Sequence, residues 1–357
     1  MSLESYILDI IEDRKIAPGF SKVLYLASQF YKAGSIMRNF LYEKKLIKTH
    51  AVPACVVSVG NIVCGGTGKT PFIQYLACRL AHSTSTAIIT RGYRSKLEKI
   101  RKSCQISTGQ GPIYSAEECG DESYWLACNT PCSVFVGKIK KESAILASKN
   151  KNKIILIDDG MQHRSLRRDV EIVLMNGTDL WGKGNFLPRG LLRDSPNRIA
   201  KADLIIINNC ESDEQWKQII NEIKKYSRAP IIRSHRRYHF AKEVTEGLVG
   251  VFCGIAHPSL FEEAVIAYGK KVVASLFSPD HKLPLKKSLE EFAISCKEKG
   301  ANALICTEKD YVKLQKDLKL VIPVVPLILT LDFSEGKEAL EDCIENILRK
   351  GRSFSID

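Results

Sequence analysis

The chain has 357 residues, of which 45% are hydrophobic and 26% charged, so wholesale disorder is excluded and one large or two ordinary domains are expected. Lys and Arg outnumber Asp and Glu by 53 to 40, a formal net charge of +13. This excess predicts a polyanionic partner: a nucleotide, a nucleic acid, a phosphorylated substrate or an anionic membrane. A basic bias without a specific partner is the alternative.

The twelve cysteines are scattered, with no CxxC pair and no His or Cys partner at zinc spacing. We therefore expect reduced thiols and no structural metal. Acidic residues appear at once after the initiating Met, where a signal peptide would be basic, and no apolar run reaches the roughly 18 residues of a membrane span. These features predict a cytosolic chain without a transmembrane segment.

The first long helix is predicted at about 19–47, where apolar residues recur at helical spacing. Its basic residues are Lys22, Lys32, Arg38, Lys44 and Lys45. A basic amphipathic helix can lie on an anionic membrane. An ordinary surface helix packed on a core is the alternative, and the residues alone do not separate the two.

Short buried strands then alternate with helices. Strands are predicted at 54–60, 86–90, 133–136, 154–158, 170–175 and 203–208, and helices at 70–81, 139–149 and 213–225. Near-continuous apolar strands separated by helices indicate a parallel sheet covered on both faces. The predicted fold class is α/β, with a doubly wound, mostly parallel sheet.

A basic stretch at 233–239 interrupts this pattern, and a second α/β series follows it. Strands are predicted at 248–256, 271–277, 302–307 and 320–329, and helices at 258–268 and 285–299. We therefore predict a first domain at 1–235 and a second, smaller α/β domain at 236–357. The last helix belongs to the second domain in sequence, and packing of this helix back on the first domain is left open.

The motif SVGNIVCGGTGKTP at 58–71 joins a strand to a helix through a glycine-rich turn. Glycines let backbone N–H groups point at phosphate oxygens, and the helix N-terminus adds partial positive charge. Lys69 would reach the β- and γ-phosphates, and the Thr70 hydroxyl would bind Mg²⁺. The predicted ATP-phosphate residues are Gly65, Gly66, Thr67, Gly68, Lys69 and Thr70. Val63 stands where the strict P-loop pattern has glycine, so this is a variant loop; a glycine-rich turn without nucleotide is the alternative.

Two further strand ends carry acidic or basic residues. In IILIDDGMQHRSLRRD (154–169), Asp158 ends a strand where a second carboxylate would hold Mg²⁺, and Asp159 follows it. In TRGYRS (90–95), Arg91 and Arg94 flank Gly92 and Tyr93 directly after a strand, at the edge where α/β ligands bind, and the arginines could contact phosphates. Helix capping by Asp158 and two solvated arginines are the alternatives.

Two other segments offer candidate catalytic groups. In CGDESYWLA (119–127), Asp121 and Glu122 stand at an apparent helix start, where a carboxylate could deprotonate an attacking hydroxyl or simply cap the helix. In FSPDHK (277–282), His281 lies on a predicted loop of the second domain and gains a role only if that domain closes over the first.

Together these motifs resemble the tetraacyldisaccharide 4′-kinase family, the lipid A 4′-kinases. The similarity extends over most of the chain and includes GNFLPRGLLRD (184–194), CGIAHPSLF (253–261) and TEKDYVKL (307–314) besides the segments above. Met161 and Arg189 depart from the family pattern, where phenylalanine and alanine are usual. Neither departure affects the phosphate-binding motif, but both leave the exact substrate open.

The resemblance implies a P-loop kinase that uses ATP and Mg²⁺ to phosphorylate the 4′-hydroxyl of an acylated glucosamine disaccharide 1-phosphate. It implies peripheral attachment at the cytoplasmic face of the inner membrane, with the first helix touching lipid. The resemblance implies that Asp121 is the catalytic carboxylate, supported by His281. It implies that Lys69 and Thr70 bind the phosphates and the metal, and that Asp158 and Asp159 lie near Mg²⁺. The substrate site would be lined by Arg91, Tyr93, Glu122, Gln162 and His163.

Two other classes remain as competitors. A P-loop ATPase switch would share the GGTGKT run, although such proteins commonly carry lysine where Cys64 stands. A nucleic-acid binder would fit the charge, but no RNP, zinc-finger or helix-turn-helix signature is present. We therefore expect a lipid substrate and an anionic membrane surface as partners, no nucleic acid, and a monomer.

Overall fold

The computed structural model describes residues 3–12, 14–15, 17–93, 95–100, 102–244, 247–255, 258–280, 282–314 and 318–354. Buried aliphatic runs form the strands, because a sheet covered on both faces needs apolar side chains on both. The strands are β1 (Cys55–Gly60), β2 (Thr86–Thr90), β3 (Cys104–Thr108), β4 (Ser133–Val136), β5 (Ile154–Asp158), β6 (Val170–Asn176), β7 (Leu204–Asn208), β8 (Ile231–Phe240), β9 (Leu248–Cys253), β10 (Lys271–Phe277), β11 (Ala301–Thr307) and β12 (Val324–Glu335).

Helices cover both faces of these strands. They are α1 (Leu3–Ile11), α2 (Pro18–Glu43), α3 (Lys69–Ala81), α4 (Lys96–Ile100), α5 (Ala116–Cys119), α6 (Asp121–Asn129), α7 (Lys140–Lys149), α8 (Asp213–Ile223), α9 (Pro258–Ala267), α10 (Lys286–Glu298), α11 (Glu308–Tyr311) and α12 (Lys337–Ser353). Short 3₁₀ turns lie at Gly182–Gly184 and Pro196–Lys201.

The strands lie side by side in the order β10-β9-β11-β12-β8-β7-β6-β1-β5-β2-β4-β3. Neighbours run parallel except for β3 with β4 and β8 with β12, so the predicted mostly parallel α/β sheet is confirmed. β1 lies between β5 and β6. Strands β2 to β5 lie on one side of β1 and strands β6 to β12 on the other, so the chain changes direction across the sheet at β1. In α/β sheets such a switch in direction opens a crevice at the carboxyl ends of the strands, where ligands bind.

The antiparallel pair β8 and β12 joins the two parallel parts of the sheet. The segment 233–239, predicted to interrupt the α/β pattern, forms most of β8. Its basic side chains obscure the apolar pattern of a strand in the sequence: Arg236 and Arg237 are exposed while Ile232 and Ser234 are buried. The proposed domain limit at 235 therefore falls inside a strand, and the division into two domains stays a prediction.

The final helix, α12, returns to the first part of the sheet. Its Leu340, Ile344 and Ile347 are buried in the same apolar cluster as side chains of β1, β5 and α3. A Cβ added to Gly351 would lie 2.7 Å from Ile154 Cγ1 on β5, so the helix approaches the sheet closely. The last turns of the chain thus complete the core beneath its first strand.

The long helix α2 turns apolar side chains outward and small or polar ones inward. Its outward residues are 41% to 80% exposed: Val23, Tyr25, Leu26, Phe30, Tyr31, Ile36, Met37 and Phe40. On the inner face, the buried Asp194 carboxylate accepts hydrogen bonds from Asn39 Nδ2 at 2.7 Å and Ser35 Oγ at 3.4 Å. Within the described ranges, no helix has both the length and the apolar character required to cross a membrane.

Candidate active site

The glycine-rich loop leads from β1 to α3 at the carboxyl edge of the sheet. Gly65 and Gly68 have φ angles of +111° and +81°, in the left-handed region that glycine adopts without strain. A Cβ added to Gly65 or Gly66 would have no neighbour within 4 Å among the described residues. The loop therefore offers open space beside its backbone, into which anionic oxygens can approach.

Two asparagines hold this loop in place. Asn61 Nδ2 donates to Thr67 Oγ1 at 3.1 Å, and Asn208 Nδ2, at the end of β7, donates to the Thr67 carbonyl at 2.5 Å. Gly68 is the N-cap of α3, and no described side chain caps that helix. The first N–H groups of α3 are thus left for an anion, which is the usual arrangement at a phosphate-binding helix.

We expect Gly68→Ala to damage this loop, because the left-handed φ strains alanine and its Cβ would lie 2.5 Å from Asn208 Nδ2. The melting temperature should fall by several degrees and the affinity for an ATP analogue should drop, as measured by thermal unfolding and titration calorimetry. Gly66→Ala is the matched control for stability, since its Cβ meets no described atom within 4 Å. Equal melting temperatures for the two variants would contradict the close approach to Asn208.

Lys69, the first residue of α3, faces the acidic residues that follow β5. Its Nζ lies 3.8 Å from Asp159 Oδ1, and Arg193 contacts both oxygens of Asp159, at 3.0 and 2.8 Å. Burial acts to raise the pKa of Asp159, but Arg193 and Lys69 outweigh it and lower that pKa to about 2. Asp159 is therefore a carboxylate at neutral pH, held in a left-handed backbone conformation with φ +51°.

Asp158 ends β5 in a different environment. Burial, with a contribution from the nearby Glu122, raises the pKa of Asp158 to about 6, against the opposing effect of Lys140. Lys140 is only 2% exposed; burial lowers its pKa, and its ammonium donates to the Asp158 carbonyl. Two carboxylates, Asp158 and Asp159, thus follow one another at the end of β5, and carboxylate oxygens are ligands that Mg²⁺ prefers.

A cavity of about 170 Å³ lies beside this strand end and gathers most of the predicted residues outside the phosphate loop. Its lining comprises Thr90, Arg91, Gly92, Tyr93, Gly120, Asp121, Glu122, Ser123 and Asp158. Thr70 Oγ1 donates to Glu122 Oε1 at 3.5 Å, which connects the phosphate loop to the cavity wall. The loop and the cavity therefore form one continuous site.

Asp121 does not cap its helix. Gly120 occupies the N-cap position of α6, and Asp121 is the first helical residue, with no side-chain cap hydrogen bond. A Cβ on Gly120 would lie 3.1 Å from the Gly92 carbonyl carbon, so the start of α6 is packed against the loop after β2. The capping alternative is thus wrong, and the Asp121 carboxylate is directed to other contacts.

Arg91 lies on the cavity wall but is already engaged. Its Nε donates to Glu98 Oε1 at 2.6 Å, and its guanidinium lies 5.9 Å from the centroid of the Tyr93 ring. About half of the Arg91 side chain remains accessible, since its exposed fraction is 51%. The remaining guanidinium N–H groups can therefore still meet an anionic group of a ligand.

Gln162 and His163 are not among the residues that line this cavity. Gln162 Nε2 donates to the Asn61 carbonyl at 2.8 Å, and Gln162 Oε1 accepts from Arg193 at 2.8 Å. Burial, followed by the nearby Lys140, lowers the pKa of His163 to about 4, so its imidazole is neutral at pH 7. His281, the predicted partner of Asp121, lies outside the described residues.

Several polar residues of the site were not predicted: Asn61, Lys140, Arg193, Asn208, Lys309 and Lys313. Asn208 had a readable signal, because it ends a buried strand at the edge where ligands bind. The two lysines belong to α11 and the turn after it, and they reach Glu122 and Asp121. No local sequence pattern predicts such a contact between segments that are far apart in the chain.

A lysine and a hydroxyl residue at the start of a helix, preceded by an open glycine loop and faced by carboxylates at the end of the adjacent strand, define a P-loop phosphotransferase. The model of the tetraacyldisaccharide-1-phosphate 4′-kinase family, LpxK, matches residues 20–349. The chain belongs to this family.

Related proteins agree with this assignment. A tetraacyldisaccharide 4′-kinase from Chlamydia trachomatis serovar D is 38% identical over 327 residues, covering 88% of this chain and 87% of the relative. One from Halothermothrix orenii is 31% identical over 345 residues, covering 88% and 89%. A crystal structure of LpxK from Aquifex aeolicus in complex with ATP superposes with a TM-score of 0.74 at 27% identity, covering 92% of this chain and 99% of that one.

Proposed function

We propose that this chain transfers the γ-phosphate of ATP to the 4′-hydroxyl of a tetraacylated glucosamine disaccharide 1-phosphate, a step of lipid A biosynthesis. The observation that carries the proposal is the continuity of the phosphate loop with the cavity containing Asp121 and Asp158. Family membership over residues 20–349 supplies the substrate class. The open loop at Gly65 and Gly66 fits a triphosphate.

The residues present also fit Mg²⁺, which prefers oxygen ligands. Thr70, Asp158 and Asp159 would hold it, since a hydroxyl at the start of α3 and two carboxylates at the end of β5 offer oxygen ligands. Both oxygens of Asp159 already accept hydrogen bonds from Arg193, so the Thr70 hydroxyl and the Asp158 carboxylate are the more available metal ligands. Bound Mg²⁺ would neutralise charge on the phosphates.

The protein's own groups would carry out the remaining work of positioning and proton transfer. Lys69 and the loop amides would hold the γ-phosphate, and Asp121 would accept the proton of the acceptor hydroxyl. Arg91 and Tyr93, on the same cavity wall, would hold the sugar. Gln162 would act by fixing Arg193 and the Asn61 backbone, and His163 stays a predicted substrate-binding residue.

The direct test is mass spectrometry of an acylated disaccharide 1-phosphate after incubation with the protein, ATP and Mg²⁺. One added phosphate, located by fragmentation on the sugar distal to the 1-phosphate, is the expected product. ATP consumption should require the acceptor. Hydrolysis of ATP at an unchanged rate without acceptor, and no phosphorylated lipid, would instead indicate an ATPase switch.

The apolar face of α2 supports a peripheral position at the cytoplasmic surface of the inner membrane. Eight large side chains on this helix are 41% to 80% exposed, while its inner face is fixed by polar contacts to Asp194. Basic residues near both ends of the helix, including Lys22 and Lys44, would contact anionic headgroups. The acyl chains of the substrate would reach the site from that same surface.

We expect the double variant Leu26→Ser and Phe30→Ser to bind vesicles of phosphatidylglycerol at least about tenfold more weakly, because two exposed apolar side chains are lost. Vesicle flotation measures the bound fraction. Ile113→Ser, which alters a side chain 75% exposed on a different segment, is the control and should bind like the parent protein. Equal binding by all three proteins would exclude α2 as the membrane contact.

A further inference from the structure

The Asp121 carboxylate is contacted by a lysine from the far part of the chain. Lys313 Nζ lies 3.0 Å from Asp121 Oδ2, and the two side chains are only 10% and 14% exposed. Lys313 Nζ also lies 3.7 Å from Asp310 Oδ1, and Asp310 is fully buried. The ammonium group is therefore placed between one carboxylate of the cavity and one of the protein core.

The segment that carries Lys313 is rigidly attached to its surroundings. Asp310 Oδ2 accepts hydrogen bonds from Thr307 Oγ1 at 2.7 Å and from the Gly254 N–H at 3.2 Å. The Leu329 N–H of β12 donates to Glu308 Oε2 at 3.1 Å. α11 is thus fixed to β12 and to the loop after β9, so the position of Lys313 is set by the second part of the sheet.

Lys309, four residues earlier, reaches the neighbouring carboxylate. Its Nζ lies 3.0 Å from Glu122 Oε1, and Glu122 also accepts from Thr70. Lys309 on α11 and Lys313 on the turn after it thus contact the first two residues of α6. The Lys309 and Glu122 side chains are 37% and 44% exposed, which makes this the more solvated contact.

We propose that Lys313 is a positioning residue for phosphoryl transfer: it fixes the orientation of the Asp121 carboxylate, and buried Asp310 holds Lys313 in place. The inference rests on the proposed function, because it assigns Asp121 the proton-accepting role. An aspartate at the start of a helix can rotate about two side-chain bonds. A charged partner at 3.0 Å restricts that rotation.

This arrangement also makes catalysis at a site in the first part of the sheet depend on α11, which is fixed to the second part. The reacting carboxylate has its correct orientation only when α11 lies against α6. Catalysis is then coupled to the relative position of the two parts, because a shift of about 1 Å in a catalytic group can cost about 100-fold in rate.

The test is steady-state kinetics of Lys313→Met, which keeps the length of the side chain and removes its charge. We expect kcat to fall by about 10- to 100-fold while the KM for ATP stays within about twofold. Lys313→Arg should recover part of kcat because it restores the cation. Lys287→Met removes the charge of a lysine that is 87% exposed on α10 and is the control, with unchanged kinetics.

Loss of the ammonium leaves Asp310 buried beside an apolar group, so Lys313→Met could fold poorly. If it does, the double variant Lys313→Met with Asp310→Asn is measured instead, because it removes both charges. We expect the same fall in kcat at an unchanged KM for ATP. A kcat within twofold of the parent in either variant overturns the proposal. So does a parallel rise in KM with no recovery by arginine, which marks a merely structural contact. Absence of lipid phosphorylation by the parent protein would instead refute the proposed function.

Discussion

Asp121→Ala is expected to lower kcat by roughly 10²- to 10⁴-fold and to leave ATP affinity nearly unchanged, the usual effect of removing a general base. The carboxylate lines the cavity next to the phosphate loop and is not used to cap its helix. Lys313 Nζ lies 3.0 Å from its Oδ2. Rates of lipid phosphorylation, together with the dissociation constant of an ATP analogue, separate the two effects.

Asp121→Asn is the second variant, since it keeps the shape of the side chain and removes its negative charge together with its capacity to accept a proton. It should be impaired about as severely as the alanine variant. Glu214→Ala, at an exposed carboxylate on α8, is the control and should match the parent protein. If either Asp121 variant turns over within a few-fold of the parent, another group accepts the proton.

Lys69→Ala should reduce kcat/KM for ATP by about 10³-fold, because a preorganised cation beside the transferred phosphoryl group is among the largest single contributions to such reactions. The ammonium now lies 3.8 Å from Asp159, and the pair is partly shielded from water. Lys69→Ala also removes one of the three cations that lower the pKa of Asp159. Initial rates over a range of ATP concentrations provide the measurement.

Lys217→Ala, which changes an exposed lysine on α8, is the matched control for the loss of one positive charge. Unchanged kcat/KM in the Lys69 variant would rule out the phosphate-binding role of the loop itself. A loss in kcat alone, with ATP binding intact, would place Lys69 in contact with the phosphates only during transfer.

The strands and the phosphate loop could be predicted because each depends on residues close in sequence. β2, β4 and β5 occupy the predicted ranges, and α3 begins one residue before its predicted start. β3 and β8 were missed because they are not continuous apolar runs: Gln105 lies within β3, and Arg236 and Arg237 are exposed on β8. β12 begins at Val324, four residues after the predicted start at 320, and extends to Glu335.

The contacts of the site were harder to predict because they join segments far apart in the chain. Arg193 lies in GLLRD, where nothing local shows that it meets Asp159. Lys313 is 192 residues from Asp121. A sequence read locally identifies which residues can do chemistry, but the partner that orients each one depends on which strands are neighbours.

The return of α12 to the first part of the sheet makes the order of synthesis matter. Leu340, Ile344 and Ile347 are translated long after β1 and α3, yet they fill the core beside them. A nascent chain lacking them exposes the apolar surface that they cover in the finished protein. The nucleotide-binding half therefore cannot reach its native packing until α12 has been synthesised, and a chain cut before residue 337 should aggregate.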